Sequence, residues 1–260
     1  MRLEQNEAVA QLLRDAAQRF IVPRWRALAA SEVQHKSGPL DLVTVADIET
    51  EAWLTKALTA LLPGSLVLGE EAFSRNEVGV ELLDGTAPVW IIDPIDGTRN
   101  FVEGQQDFCS MVALYENRQV QAGWIYLPIA RRLYSAQRGG GAFLQQDQQD
   151  PTRLSGRRVV DGAVLRGYGA EQIPGNSTLQ VHSSGIEGLA SLSCAGLEYC
   201  EIASGAVDFA LFTHTKPWDH APGALLVEEA GGQVTVADRH WSPRSRKGPI
   251  LALADRRLAE

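Results

Sequence analysis

The run Trp90-Ile91-Ile92-Asp93-Pro94-Ile95-Asp96-Gly97-Thr98 decides how the rest of the chain is read. Val89 to Ile92 is a short branched and aromatic stretch of the kind that forms a buried strand. Two carboxylates, Asp93 and Asp96, stand where that strand ends. Pro94 stiffens the turn, Gly97 lets the backbone approach a ligand closely, and Thr98 offers a hydroxyl beside exposed amides. If a helix starts here, its free N–H groups suit a phosphate.

Working outward, two more segments place carboxylates after a strand: Leu68-Gly69-Glu70-Glu71 and Lys216-Pro217-Trp218-Asp219. Taken singly each has an ordinary role: Asp93 as a turn residue, Asp219 as a helix N-cap, Glu70-Glu71 as a solvated loop. Converging on one point they would repel, and a folded protein holding them together needs a counter-cation. Oxygen ligands select Mg²⁺, Mn²⁺ or Ca²⁺ over Zn²⁺, and the absence of His-x-x-x-His or paired-Cys spacing agrees. Mg²⁺ is the expected ion, with Mn²⁺ as a substitute.

Around these segments the pattern is mixed. Apolar residues at helical spacing over residues 3 to 30, with Pro23 as a break or kink, predict one helix; a second follows Asp47 as N-cap and stops at Pro63-Gly64. Short strands are expected at Ser65–Leu68, Val89–Ile92, Phe108–Tyr115, Val120–Tyr126 and Arg132–Ala136, the last three forming an antiparallel meander. Gly139-Gly140-Gly141 reads as a turn rather than a phosphate loop. The polar stretch Gln145 to Arg158 is the candidate linker, giving an N-terminal α+β lobe, 1–150, and a C-terminal α/β lobe, 151–260. In the second, strands at 163–168, 207–212, 233–236 and 249–253 alternate with helices at 195–203 and 219–230.

Composition narrows the function. The chain has 260 residues, 45% of them hydrophobic and 22% charged, with a net charge of −8. That is an ordinary globular composition with no basic tract for nucleic acid or an anionic membrane surface. No apolar run approaches the roughly 18 residues of a membrane span, and the charged N-terminus lacks a signal-peptide core, so a cytoplasmic protein is expected. Cys109, Cys194 and Cys200 have no metal-ligand or redox spacing and read as reduced thiols, the latter two as packing residues.

Trp90 to Phe101 resembles the signature of the inositol monophosphatase family of metal-dependent, lithium-sensitive phosphatases. Trp218-Asp219-His220-Ala221-Pro222-Gly223 with Glu229-Ala230-Gly231-Gly232 resembles its second signature; Lys36 through Asp41-Leu42-Val43-Thr44 to Asp47, and Gly69-Glu70-Glu71, match two further motifs in order. The resemblance implies a layered αβαβα sandwich, usually a homodimer, that hydrolyses a small phosphomonoester with two or three Mg²⁺ ions. Carried onto the matching positions, it makes Glu70, Asp93, Asp96, Asp219 and the main-chain carbonyl of Ile95 the metal ligands. Gly97 and Thr98 become the phosphate-binding amides, and Asp47, Thr98 and Glu70 the groups that orient and deprotonate the attacking water. Lys36 either offsets negative charge beside the site or is a solvent-exposed loop lysine.

The chain also departs from the inositol-using members. Phe212 stands where they have an acidic residue six positions before the Trp-Asp pair, Ser193-Cys194-Ala195 replaces Gly-Thr-Ala, and Pro222 interrupts a small-residue pattern, on this reading within the first helical turn. Poor discrimination for inositol is expected. Arg99, Glu198, His214 and Lys216 are the candidate lining of the leaving-group pocket. Inositol phosphate, histidinol phosphate, fructose 1,6-bisphosphate and 3′-phosphoadenosine 5′-phosphate all remain open as substrates. So does a ligand-binding or regulatory protein on the same fold.

Overall fold

A computed structural model describes residues 3–36, 38, 42–173, 179, 183–237, 239–245 and 247–259. Its first sheet runs in sequence order through β3 (Leu66–Gly69), β4 (Val89–Asp96), β5 (Cys109–Glu116), β6 (Gln119–Leu127), β7 (Arg132–Gln137), β8 (Gly141–Gln146) and β9 (Thr152–Arg153). β3 and β4 are parallel and every later pair is antiparallel, as the short turns of the meander require.

Strand alternation assigns the two faces. Trp90 and Ile92 of β4, with Val112 of β5 and Trp124 of β6, face Val9, Leu13, Leu54 and Leu58 of the helices α1 (Leu3–Ala16) and α2 (Val45–Leu61). Val89, Ile91, Met111 and Ile125 face the other way, into a core shared with α5 (Ala195–Ala203) and α6 (Pro217–Glu229). Beyond those helices lies a second sheet, ordered β11 (Ser183–Leu189), β10 (Ala163–Tyr168), β12 (Phe209–Phe212), β15 (Ile250–Leu253), β13 (Gln233–Val236), β14 (Arg239–His240). Its inner residues Ala210, Val234 and Ala252 join the shared core, while Leu165, Phe209 and Leu253 face outward to Leu179 and Leu258. The layers are therefore helix, sheet, helix, sheet and an outer cover, the αβαβα sandwich.

Several local expectations change. The first helix does not run to residue 30: α1 passes into a π turn at Ala17–Ile21 and a 3₁₀ turn at Val22–Arg24, where Pro23 has no amide to continue the ladder. Asp47 is not the N-cap of α2. Thr44 is, its hydroxyl accepting from the Ala46 amide, and Asp47 closes the capping box by accepting from the Thr44 amide at 2.8 Å. Pro222 lies inside α6 rather than in its first turn, because Pro217 opens that helix. It is accommodated by Gly123 of β6, where a Cβ would stand 2.7 Å from Pro222 Cα. The polar stretch after Gln145 still contributes β9 to the first sheet.

The glycine triplet is a turn, as expected, and its amides are occupied by protein. Gly139 and Gly141 donate to the Glu229 carboxylate at 2.8 and 2.9 Å. The hairpin of β1 (Val33–His35) and β2 (Leu42–Thr44), and strand β11, lack a strong apolar alternation and were not legible.

Candidate active site

Parallel pairing of β3 with β4 sets Gly69 opposite Ile92, so Glu70 and Asp93 stand side by side at the same end of the sheet. Glu70 opens a five-residue helix, α3 (Glu70–Ser74), whose free amides at Glu71 and Ala72 donate to the Glu51 carboxylate of α2 at 2.8 and 2.7 Å. A Cβ at Gly69 would stand 2.4 Å from the Glu51 carboxylate, so a side chain there would push Glu51 off these amides. Burial, partly offset by those two amides, pushes Glu51 up to about 7.

β4 is irregular between Asp93 and Asp96, where Pro94 withholds an amide from the ladder, and pairing resumes with Asp96 opposite Cys109. The chain then turns on Gly97, at φ +83°, where a Cβ would stand 2.8 Å from the Asp107 carbonyl. The helix α4 (Thr98–Val102) follows. Asn100 fixes this corner by donating to the Asp107 and Leu192 carbonyls at 2.7 and 2.8 Å. Thr98 Oγ1 donates to the Ile95 carbonyl at 2.8 Å and lies 3.4 Å from Asp47 Oδ1. Asp219 stands in the first turn of α6.

The electrostatics are unusual for a folded interior. Asp93 is 2% exposed, and its Oδ1 has no hydrogen-bond partner among the described residues. Burial, then the neighbouring charges of Glu70, Asp96 and Asp219, raise its pKa well above the carboxylate range. Asp96 is raised too, by burial and by Cys194 and Asp219, although the Gly196 amide donates to its Oδ2 at 2.6 Å. Asp47 is pushed up to about 7 by burial, against the hydrogen bond from Thr44. Lys36 is no solvent-exposed loop lysine: its Nζ lies 2.7 Å from Glu71 and 3.0 Å from Glu70. Burial disfavours its charge, but Glu70 and Glu71 more than offset that and raise its pKa.

A cleft of about 600 Å³ opens over these groups, within the range of a small-molecule site. Glu70, Asp96, Gly97, Thr98, Asp219 and Phe212 line it, with Asp47 and Asp93 buried behind. Of the candidate pocket residues, Arg99, Glu198 and His214 also line it. Lys216 is instead 3.8 Å from Glu70 and over the Trp218 ring. Glu198 Oε1 accepts from the Ser191 hydroxyl and the Leu192 amide at 2.7 and 2.9 Å, so this carboxylate shapes the loop before α5. His214 is lowered by burial and by Lys216, which favours the neutral imidazole. Glu51 had no motif to mark it, and Glu71 and Asn100 fell within quoted motifs without being given a role.

The oxygen donors of these carboxylates suit a hard divalent cation, and the Oδ1 of buried Asp93, without a partner among the described residues, fits such an ion. A layered α/β fold with acidic side chains gathered at the end of its first sheet, beneath a cleft, defines the class. The sequence model of the inositol monophosphatase family matches residues 3–260, and the chain belongs to that family of phosphomonoesterases. It is 32% identical over 240 residues to the inositol-1-monophosphatase of Bacillus subtilis, covering 90% of this chain and 86% of that one. The extragenic suppressor protein SuhB of Bartonella henselae superposes with a TM-score of 0.72 at 27% identity, over 98% of this chain and 96% of that one. An IMPase/NADP phosphatase solved with Mg²⁺ and phosphate shares the fold, with a TM-score of 0.77 at 21% identity over 98% and 94% of the two chains.

No helix among the described residues is long and apolar enough to cross a membrane.

Proposed function

We propose that the chain is a Mg²⁺-dependent phosphomonoesterase acting on a small phosphorylated metabolite, with Glu70, Asp93, Asp96, Asp219 and the Ile95 carbonyl as the cation ligands. The observation that carries this is Asp93: a buried carboxylate with one orphaned oxygen, facing three other acids, is explained by a cation that offsets their repulsion. When bound, the ions neutralise phosphate oxygens and make water a stronger nucleophile.

The chain's own groups do the rest. The amides of Gly97 and Thr98 hold the phosphate at the start of α4. Asp47, locked by Thr44, orients the Thr98 hydroxyl, and that hydroxyl fixes the attacking water in line. Glu70 takes the proton of that water, and Lys36 and Lys216 beside it keep its charge tolerable. No covalent enzyme intermediate is needed. The leaving group lies toward Arg99 and His214. Phe212 packs on Tyr199 with ring centroids 4.7 Å apart, so an aromatic floor occupies the place of an acidic hydroxyl acceptor. This supports weak selectivity for inositol. On the family pattern the active form is a homodimer, which light scattering tests.

Phosphate release over a panel of inositol, histidinol, sugar and nucleotide phosphates, with Mg²⁺ and then with chelator, tests the reading. The expected result is Mg²⁺-dependent release from one preferred substrate that is not inositol phosphate. Equal release of inositol phosphate overturns the role given to Phe212; silence from the folded protein across the panel overturns phosphomonoester hydrolysis in favour of ligand binding.

A further inference from the structure

The sequence gives the cysteines no metal-ligand spacing, but the fold closes two of them onto Asp96. Cys109 of β5 and Cys194, the residue before α5, are buried, with their Sγ atoms 3.7 Å apart. Asp96 Oδ2 lies 3.2 Å from Cys194 Sγ and 3.8 Å from Cys109 Sγ. In a tetrahedral Zn²⁺ site, bonds of about 2.3 Å to sulfur and 2.0 Å to oxygen place ligand atoms roughly 3.5–3.8 Å apart. All three separations fall close to that spacing before any metal is added.

A second observation concerns Gly196. A Cβ at this position would stand 2.5 Å from both Cys109 Sγ and Met111 Sδ and 3.3 Å from Asp96 Oδ2. The bare backbone is what allows two sulfurs and a carboxylate to crowd onto one side of α5. Asp96 and Cys194 both line the cleft, so an ion has a way in. Sulfur donors favour thiophilic cations, whereas the carboxylates alongside favour hard ones.

We propose that Cys109, Cys194 and Asp96 form a second site, sharing Asp96 with the Mg²⁺ set, for a thiophilic divalent cation, Zn²⁺ or Cd²⁺, whose occupation withdraws Asp96 from that set and inhibits the enzyme. Two metal–sulfur bonds form and the two thiol protons leave to solvent. Water completes the coordination. The site itself stands apart from the phosphatase reading, and only the inhibition rests on that reading.

X-ray absorption at the zinc edge on the unaltered, reduced protein loaded with one equivalent of Zn²⁺ in excess Mg²⁺ tests the site. Two sulfur neighbours are expected; an oxygen-only shell overturns it. Cd²⁺ titration followed by thiolate charge-transfer absorption locates the sulfurs. C109S and C194S should each weaken binding by at least about tenfold, and C200S should leave it intact. An undiminished band in the folded C109S/C194S double variant, or a band lost in folded C200S, overturns the assignment. Zn²⁺ should then inhibit Mg²⁺-supported phosphate release at least about tenfold less strongly in C109S than in the unaltered protein. Full turnover with the sulfur site filled overturns the withdrawal of Asp96. A protein inert toward every phosphoester is a failure of the phosphatase reading, and the zinc-edge result still decides the site.

Discussion

Asp93 and Asp255 are both buried aspartates near the end of a strand, 2% and 7% exposed, and the fold treats them in opposite ways. Asp255 accepts hydrogen bonds from the Val159 amide at 3.0 Å and the Arg257 amide at 3.1 Å, and is forked by the Arg257 guanidinium. The guanidinium, against some burial and helped by the amides, holds it down at about 2. Asp93 has an orphaned oxygen and three acidic neighbours, and it is raised. The first arrangement stabilises the fold by completing a carboxylate's needs within the protein. The second leaves them incomplete, and on the proposed function a cation with the right charge would finish the set.

The comparison breaks most visibly at Asp93. Asp93→Asn should cut phosphate release by at least about 10³-fold while raising the thermal midpoint of the chelated protein by about 2–6 °C, since a repelling charge is removed. A variant that keeps its rate, or melts lower without metal, contradicts this. Asp255→Asn should do the reverse, costing about 1–2 kcal/mol in urea unfolding with the rate within about twofold.

Acid sharpens the same contrast. Because the folded pKa of Asp255 is depressed to about 2, its stabilisation is complete above its unfolded value and is lost as pH falls toward 2. The stability gap between the unaltered protein and Asp255→Asn should therefore close over that range; a gap that persists at pH 2 refutes the assignment. Glu51 has the opposite sign. Its folded pKa is raised to about 7, so stability is greatest below the ordinary glutamate range and falls as pH rises toward 7. Glu51→Gln should remove that decline in chelated protein, and urea midpoints with an unchanged slope against pH would rule it out.

How much of this was legible follows from sequence distance. The strand and its acidic turn, Trp90 to Thr98, are contiguous, so residue type and order carry them directly, and Gly97 at positive φ is where the sequence reading placed a close backbone approach. Alternation of strands and helices in the second half pointed to an α/β layer, and the full αβαβα order was implied by the family resemblance. What escaped depends on contacts across the fold. Glu51 supports α3 from twenty residues away, and only the contact of Lys36 with Glu71, thirty-five residues on, decides between the two readings the sequence left for that lysine. The Cys109–Cys194 approach spans eighty-five residues and depends on a glycine in a helix. Asp47 was misplaced by one capping role because Thr44 and Asp47 share one box, and either residue type caps well. Pro222 was misplaced because the helix start was set at Asp219 rather than Pro217.

The central claim is that the acids around Asp93 are held together for a cation. The most direct measurement is the thermal midpoint of unaltered protein and Asp93→Asn with and without millimolar-range Mg²⁺. The account predicts that Mg²⁺ raises the midpoint of the unaltered protein by several degrees and leaves that of Asp93→Asn almost unmoved. Equal shifts in the two proteins, or none in either, would contradict it.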